Sequence, residues 1–168
     1  TGPLGLAVMN GRVQKGAGWH RTFNLALERL VRRLSVTQVP WWILGSAAVY
    51  LKGLDPGRIG DCDVWLSEDD AERVMSDQGL HNLKDGWRPR YRSAYVLKPN
   101  VGETPVELLA GYDIFQDNVW RPVWPVSRIA ILYRGNEIFV PSDEELISIF
   151  ERLGRAKDFD RIRAMLKR

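Results

Sequence analysis

The chain has 168 residues, enough for one compact domain with a sizeable core and short for two. Apolar residues make up 45% and charged residues 27%, with a net charge of +3, and no apolar run approaches the roughly 18–20 residues that a membrane span requires. One cysteine, Cys62, excludes an internal disulfide and makes a reducing cytoplasm the expected compartment. With only His20 and His81 to help it, a Cys/His zinc cage is not expected.

Residues 1–18 are glycine-rich, lack the pattern of a secretory leader, and read as a flexible lead-in; 19–168 read as a single domain. From Trp19 to Leu34 apolar residues recur at helical spacing, with arginines on the other face. After Pro40, "WWIL" has the signature of a short buried strand, and Gly45-Ser46 ends it. "AAVYLKG" reads as a helix closed by Gly53, "LDPG" as a turn, and "DCDVWL" as a second strand. Ser67 is a predicted N-cap, with Asp70 in the acidic first turn of a helix to about Met75.

"SAYVL" and "TPVELLA" are predicted strands, and 112–125 an ordered loop. "RIAILY" and "EIFV" form a predicted hairpin joined at Gly135-Asn136. "PSDEELISIFERLG" carries Ser142 as N-cap, Glu145 at the capping-box position and Gly154 as C-cap, and a last helix covers "KDFDRIRAMLK". The expected architecture is α+β, a mixed β-sheet flanked by helices.

Chemistry concentrates in "DCD". Side chains alternate along a strand, so Asp61 and Asp63 project to one side while Cys62 and Val64 point to the other. Attachment points about 6–7 Å apart let both carboxylates converge on one hard cation. Two carboxylates this close on a half-buried strand repel and shift their pKa upward, so a cation or basic group is expected nearby. Upstream, Gly45-Ser46 at a strand-to-helix junction has the character of a phosphate cradle.

"LGSAAVYLKG" followed by "DCDVWL" resembles the signature of the nucleotidyltransferase fold shared by DNA polymerase beta, aminoglycoside nucleotidyltransferases and small bacterial nucleotidyltransferases. The tail "VPSDEELISIFERLGRAKDFDRIRAML" is similar to that of bacterial members, including abortive-infection-type toxins. The resemblance implies that Gly45 and Ser46 hold the phosphates of a nucleoside triphosphate (NTP), and that Asp61 and Asp63 bind two magnesium ions. It implies a third carboxylate from a later strand. Glu107 in "PVELL" is the best match, in place of the commoner Asp; Asp113, in a predicted turn, is the substitute. It implies that Lys157 in "GRAKD" lies near the nucleotide phosphates, where the residue-level reading is a solvated lysine at a helix start. Arg58 is either a phosphate contact or a soluble loop arginine, and Asp158 and Asp160 read as dipole-favoured acids of a helix start.

The implied activity is magnesium-dependent transfer of NMP from an NTP to a hydroxyl on a tRNA or other RNA end, a protein or a small molecule, with pyrophosphate release. The alternative is a nucleotide- or RNA-binding module that keeps the fold without turnover; an antitoxin partner belongs to the toxin-like reading. Arginines outnumber lysines 18 to 6, and seven basic against three acidic residues in 151–168 lean toward a nucleotide or nucleic-acid partner. Trp41, Trp42 and Trp65 are expected in the core. Trp87, Trp120 and Trp124 lie beside Arg88, Arg90, Arg92 and Arg121, where they either stack on bases or anchor loops.

Overall fold

Residues 18–84 and 88–167 are described by a computed structural model. The lead-in through residue 17 and Trp87 lie outside the described residues. The chain runs α1 (Gly18–Arg33), a 3₁₀ turn (Leu34–Val36), β1 (Trp42–Leu44), α2 (Gly45–Leu51), β2 (Cys62–Trp65) and α3 (Glu68–Gln78). It continues through β3 (Tyr91–Leu97), β4 (Val106–Gln116), β5 (Val119–Pro122), β6 (Ile129–Tyr133) and β7 (Asn136–Val140) to α4 (Asp143–Leu153) and α5 (Ala156–Leu166).

A five-stranded mixed sheet in the order β1-β2-β4-β3 organises the fold, with β5 paired to the far end of β4 and β6–β7 forming a separate ribbon. The architecture is α+β. Only β2 and β4 run parallel; β1 on β2, β3 on β4 and β5 on β4 are antiparallel. Alternation puts Cys62, Val64, Leu108 and Ala110 into the core. Asp63, Trp65, Glu107 and Leu109 face a cavity roofed by α4 and α5. No helix among the described residues is long and apolar enough to cross a membrane.

Gly111 reverses this alternation in the middle of β4. It sits at φ +64°, and beyond it Tyr112, an even-numbered residue, joins Glu107 and Leu109 on the cavity side. A side chain at 111 would meet the Glu68 carboxylate and come within 2.8 Å of the Ala94 methyl on β3. Position 111 therefore admits only glycine on two counts, backbone conformation and space.

Four predicted features are corrected. The stretch 112–125 is not a loop: β4 extends to Gln116 and turns back into β5 through Asp117 and Asn118, at φ 54° and 63°. Two successive left-handed residues make the tight primed turn, and Asp and Asn tolerate that conformation better than other non-glycine residues. Asp113 consequently lies in a strand, not a turn. In the β6–β7 hairpin the left-handed pair is Arg134-Gly135, and Asn136 already opens β7 opposite Tyr133.

The third correction concerns Glu145. Ser142 Oγ accepts from the Glu145 N–H at 3.2 Å, as a cap should, but the Glu145 carboxylate does not return to the cap. It accepts from the backbone N–H of Val126 (2.9 Å) and Ser127 (2.8 Å) and from Ser127 Oγ (2.5 Å), tying the segment before β6 to α4. The third helix is also longer than expected, closing on the left-handed Gly79, whose N–H returns to Met75 O.

Two outcomes follow from these contacts. Gly111→Ala lowers the unfolding free energy by at least about 2 kcal/mol in urea titrations, because strain and crowding act together. Partial burial pushes the Glu145 carboxyl up, but its three hydrogen bonds outweigh that and hold it below its ordinary value. A lowered native pKa stabilises above the ordinary value and loses that contribution as pH falls through the lowered one. Glu145→Gln is therefore expected to cost about 1–2 kcal/mol at neutral pH, with the difference from wild type closing in acid. A gap that stayed constant across that range would contradict the contact.

Candidate active site

The site is assembled by strand register. The antiparallel pairing of β1 and β2 sets Leu44 opposite Asp63, so Gly45, the next residue, lies against the Asp63 carboxylate. The parallel pairing of β2 and β4 sets Asp63 beside Glu107. Asp61 immediately precedes β2 and, two residues from Asp63, reaches the same side. One oxygen from each of the three carboxylates lies within 4.8 Å of the others.

Three acids this close repel one another unless something neutralises them. Burial first, then the negative charges of Asp61 and Glu107, push the Asp63 carboxyl up to about 7, although Arg161 and Lys157 pull it down. Asp63 Oδ1 is buried with no hydrogen-bond partner among the described residues. Lys98 reaches Glu107 at 3.5 Å from the exposed side, a partial compensation. An all-oxygen donor set with an orphaned buried carboxylate oxygen fits a hard divalent cation such as magnesium. Cys62 packs behind the acids as a buried thiol, held above its ordinary pKa by burial and by the two aspartates.

Gly45, at φ +66°, bares the floor beside Asp63. A methyl there would stand 3.4 Å from Asp63 Oδ2 and 3.9 Å from the Arg161 guanidinium. Arg161 and Lys157 come down from α5. Asp158, fully buried, holds Arg161 at 3.1 Å and grips Arg155 through two bonds of 2.6 and 3.0 Å. It also accepts from the Arg155 backbone N–H at 3.1 Å. One carboxylate thus fixes two guanidiniums along one wall of the cavity.

The remaining wall is aromatic. Trp65 and Tyr112 stack at 4.9 Å, Tyr91 continues the stack at 6.5 Å, and the Tyr91 hydroxyl donates to Leu153 O at the end of α4. Burial pushes the Tyr112 hydroxyl up to about 12, partly offset by Arg155. The cavity measures about 330 Å³. It has an acidic pole, a basic wall and an aromatic end, a distribution suited to a metal-bound polyphosphate carrying a ring.

The structure brings Asp61, Asp63, Glu107, Gly45 and Lys157 to this one cavity. Ser46 is buried at the start of α2 and Arg58 is exposed in the loop before β2; neither is among the lining residues. Asp113 lies further along β4, held by Arg92 Nε at 2.9 Å and outside the carboxylate group. Sequence reasoning missed Arg155, Asp158 and Arg161. Their spacing, Arg-x-x-Asp-x-x-Arg, was the available signal, since residues three apart are neighbours on a helix.

No family model and no curated protein matches the sequence. Among solved structures the chain is similar to a Thermotoga maritima protein named as a candidate nucleotidyltransferase, at TM-score 0.65 and 22% identity over 86% of this chain and 92% of that one. The chain has the nucleotidyltransferase fold. More remote in shape are the antibiotic-resistance factor ANT(2'')-Ia, at TM-score 0.42 and 14% identity, covering 88% of this chain and 80% of that one. A nucleotidyltransferase-like antigenic protein of Paracoccidioides brasiliensis matches at 0.47 and 16%, over 86% and 74% of the two chains.

If the three acids are held together at the expense of stability, removing one charge relaxes the cation-free protein. Asp63→Asn is expected to raise the melting temperature in chelator by a few degrees. Magnesium should raise it for the wild type and leave the variant unmoved. A lower melting temperature for the variant in chelator would show that the carboxylate serves the fold instead.

Proposed function

We propose that the chain is a magnesium-dependent nucleotidyltransferase that moves NMP from an NTP to a hydroxyl acceptor. The observation that carries this reading is the convergence of Asp61, Asp63 and Glu107 with Gly45, Lys157 and Arg161 on one cavity. Asp61, Asp63 and Glu107 would hold the two magnesium ions, which when bound neutralise triphosphate charge and activate the acceptor hydroxyl.

The chain's own residues account for the rest. Gly45, lacking a side chain, lets the triphosphate approach Asp63 closely, with Ser46 beside it at the head of α2. Lys157 and Arg161 offset phosphate charge, and Asp158 holds Arg161 in place so that little reorganisation is needed during reaction. The sheet and α4 enclose the reacting groups, which favours in-line alignment of acceptor oxygen, α-phosphorus and leaving pyrophosphate. Overall, the acceptor oxygen gains the bond to the α-phosphorus, the bond to pyrophosphate breaks, and the hydroxyl proton is released.

The test is calorimetric NTP binding with and without magnesium, followed by pyrophosphate release with hydroxyl acceptors supplied as total RNA. Wild type should bind only with the cation, and Asp61→Asn or Asp63→Asn should cut release on the order of 10³-fold. Binding indifferent to chelator and to both substitutions would overturn the proposal. Cation-dependent binding with no release for any acceptor would make the chain a nucleotide-binding module.

A further inference from the structure

Beyond the cavity, the end of the sheet built by β3, β4 and β5 carries aromatic residues that serve no core. Phe115 and Trp120 face each other across β4 and β5 with ring centroids 5.2 Å apart. Neither belongs to the hydrophobic core or to the residues packed against it, and Phe115 is 38% exposed. Trp124 behaves differently: it packs edge-on against the buried Trp42 at 4.9 Å and anchors its segment. Arg92 lays its guanidinium over Trp120 at 4.4 Å while Asp113 holds its Nε.

Charge gathers at the same end of the sheet, on both of its faces: Arg92 shares the face of Phe115 and Trp120, while Arg121, paired with the buried Ile114, lies on the other. Between 88 and 122 this end of the sheet bears Arg88, Arg90, Arg92 and Arg121, against Asp113, already bonded to Arg92, and Asp117 at the hairpin turn. Arg90 lies beside Gly154 at the junction of α4 and α5, and both Arg88 and Arg92 line the cavity. Arg92 thus touches the outer aromatic pair and the inner site at once, round the edge strand β3. Glu68 at the acidic start of α3 bounds the surface on the other side. Along β4 the six steps from Glu107 to Asp113 span about 20 Å. The surface therefore begins roughly that far from the carboxylate triad.

We propose that this arginine-rich, aromatic end of the sheet is a docking surface for single-stranded nucleic acid, which it leads round β3 toward the cavity as the acceptor strand. Arginines alone would suit any polyanion. The exposed Phe115 ring, with the half-buried Trp120 beside it, selects a partner with flat, unpaired bases, because stacking on such rings needs bases released from a duplex. The acceptor role rests on the transferase reading; the binding itself does not.

Fluorescence anisotropy with labelled single strands of about 12 nucleotides tests it, in RNA and DNA arms, against a duplex of the same sequence and polyglutamate. Wild type should prefer either single strand to the duplex and to polyglutamate. Phe115→Ala should weaken binding about tenfold. Arg90→Glu with Arg121→Glu should weaken it too and reduce the salt slope by roughly two. Melting curves identify any variant that has merely lost its fold; if Phe115→Ala does so, the exposed double charge reversal carries the test. Magnesium-dependent NTP binding should survive the surface substitutions. Loss of NTP binding in wild type would thus strike the transferase reading alone. No single-strand binding, equal binding of duplex or polyglutamate, or folded variants that bind like wild type would each overturn the docking surface.

Discussion

The parallel contact between β2 and β4 places one carboxylate directly beside another, with a third two residues upstream. Like charges at such spacing, with one carboxylate oxygen buried and unpartnered, lower the stability of the chain taken alone. Everything near the cavity can be read as accommodating that cost. The β1–β2 register brings a residue without a side chain to Asp63, α5 adds Lys157 and Arg161 overhead, and Lys98 approaches Glu107 from solvent. These basic groups offset the repulsion without filling the space between the acids, which leaves room for a cation.

Asp158 extends the same logic one layer outward. A fully buried carboxylate costs several kcal/mol unless it is paired, and Arg155 at the N-cap of α5 and Arg161 within it pair it. Arg155 and Arg161 are in turn held in one orientation along the cavity wall, where a free guanidinium on a flexible stem would sample many. The buried ion triplet therefore orders the basic wall, and α5 is positioned by the same contacts that shape the site.

Much of this was legible from local pattern. The 3.6-residue spacing located α1, capping residues located the start of α3 and both ends of α4, and the alternation in "DCDVWL" put both aspartates on one face with Cys62 behind them. Legibility failed where conformation depended on contacts distant in sequence. The β4–β5 hairpin was hidden because its turn uses Asp117-Asn118 without a glycine. The Glu145 carboxylate left its expected cap because the Val126 and Ser127 amides, some twenty residues away, offered better geometry. Asp158 looked like a dipole-favoured acid of a helix start, and only packing against the cavity wall made it a buried anchor.

The sequence by itself determined the periodicities, and with them the helices, the buried strands and the pairing of Asp61 with Asp63 on one face, because side-chain direction along a strand is a local property. It could name Glu107 and Lys157 only through resemblance. Tertiary structure decided that Glu107 stands beside Asp63, that α5 arches over them, and that Gly111 turns Tyr112 inward. Those relations come from strand register and helix packing, which join residues dozens of positions apart and have no local signature.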